Sequence, residues 1–288
     1  MRKLILLGVV LLILGITLQI RYAEHDMNEP IATPAEEVAV LHADAQPSGL
    51  ATPRSVLVED FEQLDQPAAE RLIAHRYVHF APEQGVDGTG GIRVSYQGNE
   101  RGSARVVRNV GLAGASEQAE LEFAVQFCPG FDFARGGKLH GLGPQQPVAG
   151  GNPVEPERWS ARLMWRANGT LQTYVYHQDQ PGRYGDTKTA PDFQFQSGQY
   201  YQVKVRVTLN SAADLADGSM QVYVNNQQLI DHQALRFRSE MSDASQIHQF
   251  LFSTFHGGSS PEWAPRDESG QYKLDCAYFD AIRVTAFD

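Results

Sequence analysis

The chain has 288 residues, 42% of them hydrophobic and 20% charged, with 26 glycines and a formal net charge of −10. That is enough apolar material for one sizeable core, or two small ones, and too much for a disordered chain. The acidic balance argues against a general nucleic-acid binder, which needs a basic surface to neutralise phosphate, but it allows a local cationic patch.

The chain opens with Arg2 and Lys3 followed by an apolar run from Leu4 to Ile20. Such a run is an export signal or a membrane anchor. Its end, "TLQIRYA", lacks a small-x-small cleavage site, and no cysteine follows for lipid attachment. Residues 1–23 are therefore read as a signal anchor, in preference to a cleaved signal peptide, with the positive end in the cytoplasm. Either way the rest of the chain is exported, to the periplasmic or extracellular face. Residues 24–55, rich in Ala, Pro and Glu, are read as a tether.

From Val56 onward the texture changes. Short runs of alternating polarity recur between clusters of Gly, Pro, Asn and Asp. They predict strands over 91–96, 103–109, 119–127, 160–166, 171–177, 200–209, 220–225, 247–255 and 277–287, with a single short helix near 67–75. Many short strands and no long helix predict an all-β domain over 56–288, a β-sandwich of jelly-roll type. The segment 136–158, mostly Gly, Pro and polar residues, is read as a long functional loop. Cys128 and Cys276 form either a disulfide or two buried thiols. A monomer is expected.

The most informative stretch is "WSARLMWRANGTLQTYVY", Trp159 to Tyr176. It reads as two strands around a turn, and the turn length decides what faces what. A two-residue Asn168-Gly169 turn would set Arg162 opposite Val175. A three-residue turn, Ala167-Asn168-Gly169 with Gly169 left-handed, sets Arg162 opposite Tyr174 and Ser160 opposite Tyr176. The second register gathers Ser160, Arg162, Tyr174 and Tyr176 on one face. It leaves Ala161, Leu163, Trp165, Thr173 and Val175 on the other. It separates polarity better and is preferred. With Lys138, Arg158, Arg166, Arg183 and Lys188 nearby in sequence, the polar face reads as a groove for an anionic polysaccharide.

Four stretches together, "FDFARGGKLHGL", "WSARLMWRANG", "TYVY" and "FSTFHGGSSPEWAP", resemble the family 14 polysaccharide lyases, which include alginate and glucuronan lyases with a β-jelly-roll fold. The resemblance covers 56 to the C-terminus. It implies that Lys138, Ser160, Arg162, Tyr174 and Tyr176 line a catalytic groove and that the activity is β-elimination from a uronate polymer. His140 and His256 depart from the family pattern and bear on which polymer is cleaved.

The residue types suit that chemistry. A base must take the weakly acidic proton beside the sugar carboxylate, and cations must hold the charge that develops. Arg162 is the candidate carboxylate partner, because its planar fork matches that group. Lys138 either stabilises the same charge or acts as base. Tyr174 or Tyr176 supplies base, acid or both, and Ser160 orients a neighbour. His140, Arg166, His256 and Trp263 are read as substrate-binding residues, and His177, by alternation, as structural. No trio of side chains has metal-ligand spacing, so neither a catalytic metal nor a cofactor is expected. Two other classes compete. A glycoside hydrolase on a similar sandwich would need closely spaced carboxylates, which the groove strands lack. A non-catalytic carbohydrate-binding protein on the same scaffold is the remaining alternative.

Overall fold

Alternation of burial organises almost every strand in the computed structural model, which describes residues 52–287. In chain order the strands are β1 (Pro53–Glu59), β2 (Val78–Ala81), β3 (Gly91–Asn99), β4 (Gly102–Ser103), β5 (Val106–Ser116), β6 (Gln118–Phe127), β7 (Gly136–Gly143) and β8 (Ser160–Arg166). They continue with β9 (Thr170–Tyr176), β10 (Thr189–Gln194), β11 (Tyr200–Thr208), β12 (Gly218–Val224), β13 (Gln227–Leu235), β14 (Ile247–His256) and β15 (Leu274–Phe287). One α-helix, α1 (Pro67–Ile73), starts on a proline and buries Ala69 and Leu72. Its Ala69 N–H is held by the Glu59 carboxylate at 2.9 Å.

The strands form two antiparallel sheets, as expected of a β-sandwich. A nine-stranded sheet runs β13-β12-β11-β6-β15-β3-β2, with β1 joined to β15 and β4 to β3. A six-stranded sheet runs β10-β9-β8-β7-β14-β5. In β11, Tyr201, Val203, Val205 and Val207 turn to the core while Lys204 and Arg206 turn outward to Glu120 and Glu122. The space between the sheets is filled with rings. Phe127, Phe131, Phe133 and Trp165 pack edge-on or tilted with centroids 4.7–5.7 Å apart. Each fully buried aliphatic or phenyl side chain contributes roughly 1.5–3 kcal/mol, so the core holds the groove sheet rigid.

Several sequence expectations need correction here. The tether expected over 24–55 ends earlier: β1 starts at Pro53 and pairs with β15, Pro53 facing Phe287. The segment 136–158 is not all loop: its first eight residues are β7, between β8 and β14. Glycine-rich composition hid this strand. Gly137 and Gly141 are there for packing, since a Cβ would sit 2.0 Å from the Trp165 ring at the first and 1.9 Å from the Ala161 carbonyl at the second. The anchor and most of the tether lie outside the described residues. Among the described residues no helix is long and apolar enough to cross a membrane.

Cys128 and Cys276 form a disulfide with Cα atoms 5.4 Å apart, joining residues 148 positions apart in sequence. The Cys128 N–H also donates to the Cys276 carbonyl at 2.9 Å, so the bridge crosses neighbouring chains of one sheet.

Candidate functional site

The β8–β9 hairpin carries the centre of the site. Its register sets Arg162 opposite Tyr174 and Ser160 opposite Tyr176, around the three-residue turn Ala167–Gly169. Asn168 has φ 61° and Gly169 φ 79°, and a Cβ on Gly169 would lie 2.3 Å from the Phe195 carbonyl. That turn lets Ala161, Leu163, Trp165, Thr173 and Val175 all face the core, each fully buried. The pairing that best separates polarity is the one observed.

Lys138 comes from β7, opposite Met164 on one side and Phe255 on the other. Its Nζ sits 3.1 Å from the centroid of the Tyr174 ring and 3.0 Å from Met164 Sδ. Loss of hydration, reinforced by Arg162, Arg166 and Arg105, holds its ammonium well below the usual lysine range. The Tyr174 π face opposes part of that by favouring the cation. The hydroxyls of Tyr174 and Tyr176 are 3.2 Å apart, and Tyr176 Oη accepts the Gly151 N–H at 2.8 Å. Burial, then the hydrogen bond and charge of Tyr176, push the Tyr174 phenol up, opposed by the Gly185 backbone and Arg162. Burial brings Arg162 down to about 10, opposed by the two tyrosines, so its guanidinium stays charged at neutral pH.

Exposure separates these residues. Lys138 and Tyr174 are half-buried and open to the groove. Ser160 and Tyr176 are fully buried and Arg162 nearly so. The loop after β7 covers them: the Val148 carbonyl accepts Ser160 Oγ at 2.7 Å and Arg162 Nη1 at 3.3 Å. Gly185 packs on the Tyr176 ring from the β9–β10 connection. Ser160 and Tyr176 thus hold their neighbours in place from beneath.

Of the four further candidates, two lie elsewhere. His140 is not in the groove. Its ring is fully buried between the sheets, stacked on Phe252 at 4.2 Å and close to Phe123, Phe250 and Phe279. Simple alternation puts it on the face of Lys138, but the register of β7 shifts between Lys138 and Gly141. This bulge turns both Leu139 and His140 inward. Burial lowers the imidazole to about 3, opposed by the Ser253 backbone. His256 is also a core residue, stacked on Phe131 at 5.1 Å with Nε2 donating to the Asp132 carbonyl at 2.7 Å. Arg166 and Trp263 pair with each other near the hairpin turn, the guanidinium 5.3 Å over the indole, while Gly258 fills the space against that ring. His177 is buried, as alternation implies, with Nε2 3.3 Å from the Asp186 carboxylate.

The groove floor follows from the registers. One row crosses the sheet as Thr189, Gln172, Met164, Lys138 and Phe255, and the next as Tyr174, Arg162, Gly141, Leu251 and Asn109. Neither row contains Asp or Glu. Met164 lies on the groove face of β8, and the sequence does not mark it, because an apolar side chain carries no chemical flag.

The two-sheet sandwich and the family whose model it matches make this a polysaccharide lyase. The chain belongs to polysaccharide lyase family 14, whose model matches residues 91–275. No curated protein matches the sequence itself. Among solved structures it is similar to the alginate lyase Aly36B in a mutant complex with alginate tetrasaccharide, with 22% identity and a TM-score of 0.61 over 82% of this chain and 97% of that one. It is similar to the PL-14 alginate lyase of Aplysia kurodai, with 20% identity and a TM-score of 0.61 over 80% and 98%. The endo-β-1,4-glucuronan lyase of Trichoderma reesei follows at 12% identity and a TM-score of 0.52 over 81% and 96%. At these identities the likeness is one of fold.

Proposed function

We propose that the protein is an exported lyase that cleaves a uronate polymer, of alginate or glucuronan type, by β-elimination. The observation that carries this reading is the Lys138 amine over the Tyr174 ring beside Arg162, in a floor with no carboxylate. A polyanion fits such a floor, and a hydrolase, which needs two acids, does not. The solved relatives named for alginate and glucuronan lyases, one holding alginate, point to the same substrate class.

The chemistry divides by proton affinity. Lys138, with its ammonium disfavoured, is the base that takes the C5 proton. The C5–H electron pair becomes the C4–C5 double bond as the C4–O4 bond breaks. Tyr174, whose phenol holds its proton tightly, gives it to the departing O4. Tyr176, itself held by the Gly151 N–H, fixes the Tyr174 hydroxyl and takes no proton from substrate. Arg162, nearly buried beside Tyr174, stabilises through its charge the dianion that builds on the carboxylate. Export is supported by the disulfide, which suits an oxidising compartment, and by the apolar N-terminal run.

The test is a panel of alginate blocks, polyglucuronate and neutral glucans, read by the ultraviolet absorbance of the unsaturated uronate end. A rise with one polyuronate is expected. Reducing ends without that absorbance would mean hydrolysis and would refute the reading.

A further inference from the structure

The transverse row through Lys138 does not end at Phe255. Thr254 pairs with Val106, so one step further Phe255 faces Arg105, the residue just before β5. The guanidinium confirms that alignment, lying 5.2 Å over the Phe255 ring. Its Nη2 donates to the Gly258 carbonyl at 3.3 Å, which fixes its direction. Arg105 is exposed, and no carboxylate among the described residues pairs with it. By contrast, the exposed Arg135 has Glu262 within 3.9 Å, and Arg206 has Glu120. Arg183, stacked on Tyr184 and donating to the Gly151 carbonyl, shares these features, so what singles out Arg105 is its place in the row through Lys138, where a planar guanidinium can meet a carboxylate.

We infer that Arg105, seated on Phe255, forms a uronate-binding subsite on the side of Lys138 away from Tyr174, and that it holds the carboxylate of a neighbouring sugar. Two strand spacings, about 10 Å, separate it from Lys138. The Phe255 ring and the Gly258 carbonyl hold the guanidinium over the far strand, which places it beside the sugar next to the one that Lys138 attacks. The polymer then crosses the strands past Lys138, with one carboxylate toward Arg162 in the neighbouring row and the next toward Arg105. The inference rests on the uronate-lyase reading for its substrate class.

The test compares Arg105→Ala, Arg105→Lys and the wild type on a long polyuronate and on di- and trisaccharides. Thermal melting should be unchanged, since the side chain is exposed. Arg105→Ala should raise KM for the polymer about tenfold. It should change kcat only through Lys138, which loses one of the cations that lower its proton affinity, so kcat is compared at a pH where Lys138 is already deprotonated. Arg105→Lys should restore part of the loss, and oligomers too short to span from Lys138 should show little difference. An unchanged KM, or an equal rise for short and long substrates, would overturn the subsite. If the wild type makes no unsaturated product, the lyase reading fails instead. Affinity electrophoresis on the polyuronate then decides for Arg105: weaker retention of Arg105→Ala supports the subsite, equal retention overturns it.

Discussion

At the residue scale, function rests on proton affinities set by burial. Lys138 must lose its proton to act, and its environment favours that loss. Tyr174 must keep its proton until the bond breaks, and its environment favours that too. Activity should therefore rise with pH as Lys138 deprotonates, below the ordinary lysine range. It should fall only above the ordinary phenol range, as Tyr174 ionises. A pH profile of kcat/KM checks both limbs; an acidic limb that persists unchanged in Lys138→Ala would contradict the assignment. Tyr176 should differ from Tyr174. Tyr176→Phe removes a hydrogen bond to a group that positions the acid, whereas Tyr174→Phe removes the acid itself. The expected losses in kcat are about ten- to hundredfold for the first and at least a thousandfold for the second, measured at saturating polymer.

The core histidines belong to the same scale but act on stability. The His140 imidazole is lowered from the ordinary histidine value to about 3, and His256 to about 4, both mainly by burial. Below about pH 6.5 the unfolded chain binds protons that the fold refuses, so stability is full above that pH and is lost on acidification toward those values. The slope is about 1.4 kcal/mol per pH unit for each group. Urea midpoints between pH 7 and 4 should fall less steeply in His140→Phe than in the wild type. Parallel curves would show that His140 is not the neutral core group described.

At the element scale, the hairpin and β7 show what a sequence can and cannot reveal. The β8–β9 register was legible because five apolar or buried positions and four polar ones sort cleanly only in one pairing. The register alone gathers Arg162, Tyr174 and Tyr176 on one face; Lys138, outside the hairpin, is pointed to only by the family resemblance of its G-G-K-L stretch. The bulge in β7 was not legible, because nothing local in "GGKLHGLG" marks the residue where alternation breaks; it depends on partners in β8 and β14. That is why His140 read as a groove residue and packs among phenylalanines instead. Arg105 was hidden for a related reason. Its neighbour in space is Phe255, about 150 positions away, and only the β5–β14 pairing brings them together. The turn itself gives a prediction. Gly169→Ala places a Cβ against the Phe195 carbonyl at positive φ and should cost about 2 kcal/mol or more. A lower melting temperature with proportionate loss of activity is expected; a neutral effect would mean the turn relaxes.

At the scale of the whole molecule, two features frame the site. The chain carries a net charge of −10, yet the groove floor has no acid, so the cationic cluster is local and contrasts with its surroundings. The disulfide closes a loop of 148 residues that includes β7, β8, β9 and β14, all of the central groove. In the chain-entropy account a loop of that size contributes about 5 kcal/mol. Reductant should lower the melting temperature of the purified protein by several degrees, and Cys128→Ser should match that shift without further sensitivity to reductant. The sandwich as a class was legible from strand spacing alone. Strands β1, β2, β10 and β13 were not, because edge strands carry weak alternation and are specified by what they pair with.

The most direct test of the central claim is the unsaturated-uronate absorbance released from alginate and polyglucuronate by wild type, Lys138→Ala and Tyr174→Phe side by side. The account predicts a steady rise for the wild type on one of these polymers and none for either variant, with both variants folded. Undiminished release by folded Lys138→Ala and Tyr174→Phe would contradict it.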